Sequence, residues 1–188
     1  MWTPIGLSVV DQEASYYKQD GYWNGSVWMP HQWFVFLGML EQGYAEYAIQ
    51  IAKTALNVWK RETDASYHCY EHFMVQSGRG AGWHNFGGLS APVVLWYHGC
   101  FTKGSVTVPV NLLVETSIND ENGMEVHVNA WEKIKDCTKV SYVVIVPTEK
   151  VSEIFVNHRK VSYITFQKAV FIPVPQKADS TIRIEYAV

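Results

Sequence analysis

Residues 29–62 read MPHQWFVFLGMLEQGYAEYAIQIAKTALNVWKRE, and their apolar side chains recur every three to four positions, the period of a helix. Trp33, Phe34, Leu37 and Leu40 fall at that spacing behind Pro30. A proline suits a first helical turn, where its missing N–H has no intrahelical partner. Gly43 reads as a stop, and Tyr44, Ala48, Ile51, Ala55 and Val58 form the stripe of a second helix over residues 44–62. So short a link predicts an antiparallel helical hairpin. Downstream, GLSAPVVLWYHG, residues 88–99, predicts a third helix with Ser90 capping it and Pro92 near its start.

Beyond Gly104 the period changes from 3.6 to 2. MEVHVNAWE alternates, KVSYVVIV is a β-branched run, and EIFVNHRKVSYI carries an Asn157-His158 turn signal between two short strands. KAVFIPVP and STIRIEY continue the pattern. The reading is therefore an α+β multidomain chain: a helical-hairpin segment over 1–103, then an antiparallel β-sandwich over 104–188. Three helices do not bury all their apolar faces on one another, which implies that helical layers are missing on the N-terminal side.

The totals narrow the classes of function. With 48% hydrophobic and 18% charged residues in 188, and no low-complexity tract or fixed-period repeat, the chain is globular. Net charge is -3, and residues 1–103 hold 6 Lys/Arg against 8 Asp/Glu, the remainder 9 against 10. Neither half has the basic balance of a nucleic-acid binder. Cys69, Cys100 and Cys137 are odd in number and far apart, so they read as buried thiols rather than disulfides or a zinc site. The start, MWTPIGLSVV, lacks a basic region and a long apolar run, and no stretch approaches a membrane span. The chain reads as soluble and untargeted, with no membrane partner.

Of the 27 Phe, Trp and Tyr residues, 20 lie in 1–103, and three local patterns there carry polar groups among the aromatics. In GYWNGSVW, residues 21–28, Trp23 and Trp28 offer flat apolar faces of the kind that stack on the CH faces of sugar rings, and Asn24 offers a planar polar group. The same tryptophans also suit a core at a loop-to-helix junction. In YEHF, residues 70–73, Glu71 lies between Tyr70 and His72, a setting able to tune the pKa of a carboxylate that serves as a glycosidase base, though surface exposure is the usual fate of a glutamate. In SGRGAGWHNFGG, residues 77–88, glycines surround Trp83 and His84 and permit close approach of backbone to a ligand; the stretch matches no phosphate-binding spacing and equally suits a long connection.

His68, Glu71 and His72 also spell H-x-x-E-H, a zinc-protease pattern. That pattern needs a helix to bring both histidines to one face. SYHCYEHFMVQSG is rich in Tyr, Phe, Cys and Val and reads as extended, which would separate the two imidazoles by roughly 13 Å. No metal and no cofactor is expected.

GYWNGSVWMPHQWFVFLGMLEQGY, then EHF, then SGRGAGWHNFGGLSAPVVLWY resemble, in order and spacing, the last part of the catalytic domain of six-hairpin (α/α)6-barrel glycoside hydrolases. The similarity is greatest to glycoside hydrolase family 63 and its trehalase and glucoamylase relatives, and covers residues 3–99. It implies a partial (α/α)6 toroid, an inverting mechanism on an α-glucoside or related oligosaccharide, and Glu71 as general base. It further implies substrate contacts from Trp23, Asn24, Trp28, Trp83 and His84. Asn24 stands where many relatives have Arg, and His72 departs from the usual Asn, Lys or Tyr. The family's general acid is an Asp on an earlier hairpin, and Asp11, Asp20 and Asp64 do not sit in its motif. The resemblance therefore implies a C-terminal portion of a glycosidase, inert alone or completed by self-association or by a missing N-terminal part. It leaves a periplasmic or secreted parent open. A non-catalytic carbohydrate-binding module built on Trp23, Trp28 and Trp83, or a structural or partner-binding module, is the alternative.

Overall fold

The computed structural model describes residues 1–133 and 138–187. Cys137, expected as a buried thiol, lies outside the described residues. In chain order the elements are β1 (Trp2–Thr3), β2 (Gly6–Leu7), α1 (Met29–Glu41), α2 (Ala45–Ser66), β3 (His72–Phe73), β4 (Gly80–Ala81) and α3 (Gly87–Phe101). There follow β5 (Val106–Thr107), β6 (Leu112–Asn119), β7 (Gly123–Ala130), β8 (Val140–Ile145), β9 (Val151–Val156), β10 (Arg159–Lys160), β11 (Ile164–Phe166), β12 (Ala169–Pro175) and β13 (Ser180–Tyr186). The architecture is α+β, with three helices and antiparallel sheets among the described residues. No helix there is long and apolar enough to cross a membrane. By spatial contact the chain forms two compact units, neither continuous in sequence: residues 1–36 with 47–97, and residues 37–46 with 98–188.

Helix α1 ends as its sequence dictates. Gly43 takes φ +82°, the Tyr44 N–H reaches the Met39 carbonyl at 2.8 Å and the Gly43 N–H reaches that of Leu40 at 3.4 Å, a Schellman closure that a side chain at 43 would strain. The α1 stripe differs from its expected membership: Phe36 and Leu40 are buried while Phe34 is exposed, because the face that packs runs 32, 36, 40. Gln32 on that face is itself buried, its amide accepting from the Leu7 N–H at 2.8 Å and donating to the Leu7 carbonyl at 2.7 Å. A strand edge is thus satisfied by one side chain. On α2 the stripe Ala48, Ile51, Ala55 and Val58 is buried as expected, with Tyr44 exposed just ahead of it. Helix α3 starts at Gly87, which places Ser90 inside the helix. Ser90 is buried and its hydroxyl accepts from the Trp59 indole N–H at 3.0 Å, so it pins α2 to α3 instead of capping.

The second unit holds a five-stranded sheet in the order β10-β9-β13-β7-β6 and a four-stranded sheet in the order β11-β12-β8-β5, with all pairings antiparallel. Both contribute to one hydrophobic cluster, with Val126, Val128, Ile182 and Ile184 from the first and Val143, Ile145, Ile172 and Val174 from the second. The alternation read from the sequence is the cause, since β7 buries every second residue and β13 does the same. Asn157 (φ +49°) and His158 (φ +66°) make the two-residue turn between β9 and β10, with Val156 opposite Arg159. Both central residues in the left-handed region match the twist of the flanking strands. Cys100 is buried, and burial pushes its thiol up to about 12, so it stays protonated and unreactive.

Candidate active site

The short hairpin of β3 and β4 organises the first unit. Phe73 is paired on one side with Gly80 and on the other with Val27, the two backbones exchanging hydrogen bonds of 2.9 Å, so the loop of residues 18–28 lies alongside β3. Within that loop the Trp28 indole N–H donates to the Tyr22 carbonyl at 2.8 Å and the Asn24 amide donates to the Tyr16 carbonyl at 2.9 Å. These bonds shape the loop, and they leave Tyr22 and Trp23 about half exposed above a buried Trp28.

The rings stack in order. Trp23 lies on Trp28 with centroids 3.7 Å apart and planes 13° from parallel, and Trp28 lies on the His72 imidazole at 5.0 Å and 19°. Tyr22 meets both Trp28 and His72 edge-on, at 4.8 and 5.2 Å. This arrangement aims the Tyr22 hydroxyl at Glu71, which accepts its hydrogen bond through Oε1. The second carboxylate oxygen, Oε2, accepts the Trp83 backbone N–H at 3.2 Å. Gly82 makes that approach possible: its φ is +76°, and a Cβ there would stand 2.5 Å from Glu71 Oε2 and 3.0 Å from Glu71 Cβ.

Both donors stabilise the charged carboxylate, so the Tyr22 hydroxyl first, the Trp83 N–H next and nearby His72 last hold Glu71 below the usual glutamate range. The same bond raises the Tyr22 phenol. His72 is buried, and desolvation lowers its pKa against the opposing pull of Glu71. Its Nδ1 is buried with no hydrogen-bond partner among the described residues, which further suits a neutral ring at neutral pH. The site is thus an ionised, partly open carboxylate beside a neutral aromatic wall. Each carboxylate oxygen accepts one of these two bonds and keeps lone-pair capacity for a water or a sugar hydroxyl.

Of the residues singled out in the sequence, Trp23 and Trp83 are exposed, while Trp28 is only 1% exposed and serves as the floor on which Trp23 rests. Asn24 spends its amide N–H on the loop. His84 stacks beside Trp83 at 5.7 Å and meets the His68 ring at 5.0 Å. His68 and His72 belong to separate ring clusters, and among the described residues no group of three His, Cys, Asp or Glu side chains is placed to hold a metal ion. Asp11 pairs with the terminal ammonium, Asp64 with Lys60, and Asp20 accepts the Gln76 N–H at 3.1 Å.

Two residues that sequence reasoning passed over prove central to the geometry. Tyr22 contacts Glu71 across a separation of 49 residues, and only its place beside Trp23 in the quoted loop hinted at it. Glu62 is buried at the end of α2, where it accepts two bonds from the Arg79 guanidinium, at 2.7 and 3.1 Å, and one from the Gly80 N–H at 3.0 Å. Arg79, chiefly, holds its pKa down to about 2. The signal was available, since Glu62 follows Val58 by four residues on the buried stripe, and a carboxylate at such a position needs a cation.

With this geometry in view, residues 1–87 match the family model of the mannosylglycerate hydrolase MGH1-like glycoside hydrolase domain. This segment is similar to that glycoside hydrolase domain. Two solved structures, both from Thermus thermophilus, are similar to the chain: a GH63 mannosylglycerate hydrolase in complex with glucose and an uncharacterized conserved protein. Each is 27% identical, covers 47% of this chain and has a TM-score of 0.40. The chain spans about a fifth of their lengths, 21% and 20%. The matched segment contains Tyr22, Trp23, Glu71, Gly82 and Trp83 together.

Proposed function

We propose that the chain is the C-terminal portion of an inverting glycoside hydrolase acting on an α-glucoside-like or related oligosaccharide, with Glu71 as its general base. On this reading residues 1–103 are the last hairpins of an (α/α)6 barrel, and residues 104–188 are an appended β-sandwich. The observation that carries it is the Glu71 carboxylate, kept ionised by Tyr22 and Trp83 beside an aromatic wall. An inverting base must take a proton from a water on the far side of the sugar ring, and an ionised carboxylate with free lone pairs does so at neutral pH. Trp23 and Trp83 supply apolar faces for the sugar, with Asn24, Trp28 and His84 shaping their surroundings. A mannoside stands beside glucosides among the substrates to be tried, since the matching domain is named for a mannosylglycerate hydrolase.

The acid partner would come from outside this segment, and its loss costs typically 10²–10⁴ in rate. Glycosyl fluorides bypass that need because fluoride leaves without protonation. The test is release of fluoride from α-glucosyl and α-mannosyl fluoride by the 188-residue chain, compared with Glu71→Gln, and with proton NMR of the anomer first formed. Turnover with inversion that disappears in the variant supports the reading; turnover unchanged in Glu71→Gln removes Glu71 from it. The exposed indoles of Trp23 and Trp83 also favour a second reading, a carbohydrate-binding module. Sugar affinity that survives Glu71→Gln with no turnover from either protein selects that one.

A further inference from the structure

Trp131 is the single tryptophan of the second compact unit, and it is 68% exposed. The pleat accounts for its direction. Met124, Val126, Val128 and Ala130 turn into the core, so residue 131 continues on the outward side, with its N–H held by the Asn111 carbonyl at 3.2 Å. An indole left this wet is unusual, because tryptophan is on average among the most buried side chains.

Beside it lies an open pocket of about 260 Å³ lined by Glu41, Val110, Asn111, Trp131, Glu132 and Lys177. Its floor is fixed by a chain of hydrogen bonds. The Asn111 amide donates to Ser141 Oγ at 3.3 Å, that hydroxyl donates to the Glu41 carbonyl at 2.9 Å, and the Gln176 amide donates to the same carbonyl at 3.0 Å. Asn111 Oδ1 is buried and accepts no hydrogen bond among the described residues. Lys177 adopts φ +60°, a left-handed conformation uncommon for a lysine, and its ammonium lies 3.2 Å from Glu132.

We propose that this pocket binds a neutral sugar ring, seated with an apolar CH face on the Trp131 indole. Hydroxyl groups both donate and accept, and the lining offers both, with a carboxylate at Glu132, an ammonium at Lys177 and an amide at Asn111. The one ammonium of the lining is already paired with Glu132, which disfavours an anionic ligand. The volume is slightly below the roughly 300 Å³ at which sites for drug-sized ligands begin, which suits one ring or two. The inference uses no residue of the Glu71 site and does not depend on the reading given for it.

The test is an NMR titration of the full chain with ¹⁵N-labelled tryptophan. Trp131→Phe identifies the indole signal by its disappearance, and glucose, mannose and maltotriose are then added to about 20 mM, a range that reports millimolar affinity. The Trp131 signal should shift and saturate with at least one sugar, in the parent chain and in Trp23→Ala alike, and Asn111→Ala should weaken that binding by about fivefold or more. Absence of a saturable shift with all three sugars overturns the proposal. So does an equal shift with tetramethylammonium chloride, which would make the indole a cation site, or binding undiminished by Asn111→Ala in a variant that melts like the parent.

Discussion

The two ends of the β3–β4 hairpin hold their carboxylates by opposite means. At the loop end Glu62 is buried under Arg79 and the Gly80 N–H, so its charge is matched by a cation and its carboxylate accepts three hydrogen bonds. At the other end Glu71 is partly open, ionised by two neutral donors, and retains capacity for a further bond. The first arrangement fixes structure and tolerates no vacancy, because an uncompensated buried charge is costly. The second suits chemistry, since a base must be charged without being committed. The hairpin lets one serve the other: Glu62 anchors Arg79 and Gly80, and this positions Gly82 and Trp83 against Glu71.

The contrast is broken most severely at Glu71. Glu71→Gln should lower fluoride release by about 10²–10⁴ while leaving the melting temperature near that of the parent, because the side chain keeps its shape and sits near the surface. Next in size is Glu62→Gln, expected to cost on the order of 2 kcal/mol in chemical denaturation through loss of its charge-assisted bonds. Glu62 also sets an acid dependence. Its folded pKa of about 2 lies below the unfolded value near 4.5, so its contribution is full above about pH 5 and is lost as pH falls toward 2. In Glu62→Gln that part of the pH dependence should vanish, and a denaturation series from pH 6 to pH 2 in both proteins shows whether it does.

Gly82→Ala joins the two ends. Left-handed backbone and the crowding of Glu71 together should cost about 1–2 kcal/mol and separate the Trp83 N–H from Oε2, so activity should fall even where the variant is fully folded. The smallest effect is expected from Tyr22→Phe. Its missing hydroxyl lets the Glu71 pKa rise, and the acid limb of the pH–rate profile should move to higher pH with little change in stability. An unmoved limb would show that the titration seen in the profile does not belong to Glu71.

The helices and strands were legible because each repeats a period over many residues, and burial on α2 and β7 follows that period closely. Where one residue decides, the reading slipped. Phe34 and Phe36 differ by two positions on α1, and only the packing partner picks the inward face. Ser90 looked like a cap until the helix began before it. Glu71 drew notice in its local sequence, yet its bond from Tyr22 and the Glu62–Arg79 pair did not. Their contacts cross 49 and 17 residues, and such pairings are written in the fold rather than in any local spacing.

The near-parallel stack of Trp23 on Trp28 has an optical consequence. Two indoles 3.7 Å apart behave as coupled chromophores, and wherever their transition moments are skewed that coupling adds a contribution to circular dichroism. A molecule that settles on the open face of Trp23 perturbs that contribution, so the chain carries an intrinsic spectroscopic reporter of occupancy at its aromatic wall, readable without label or turnover.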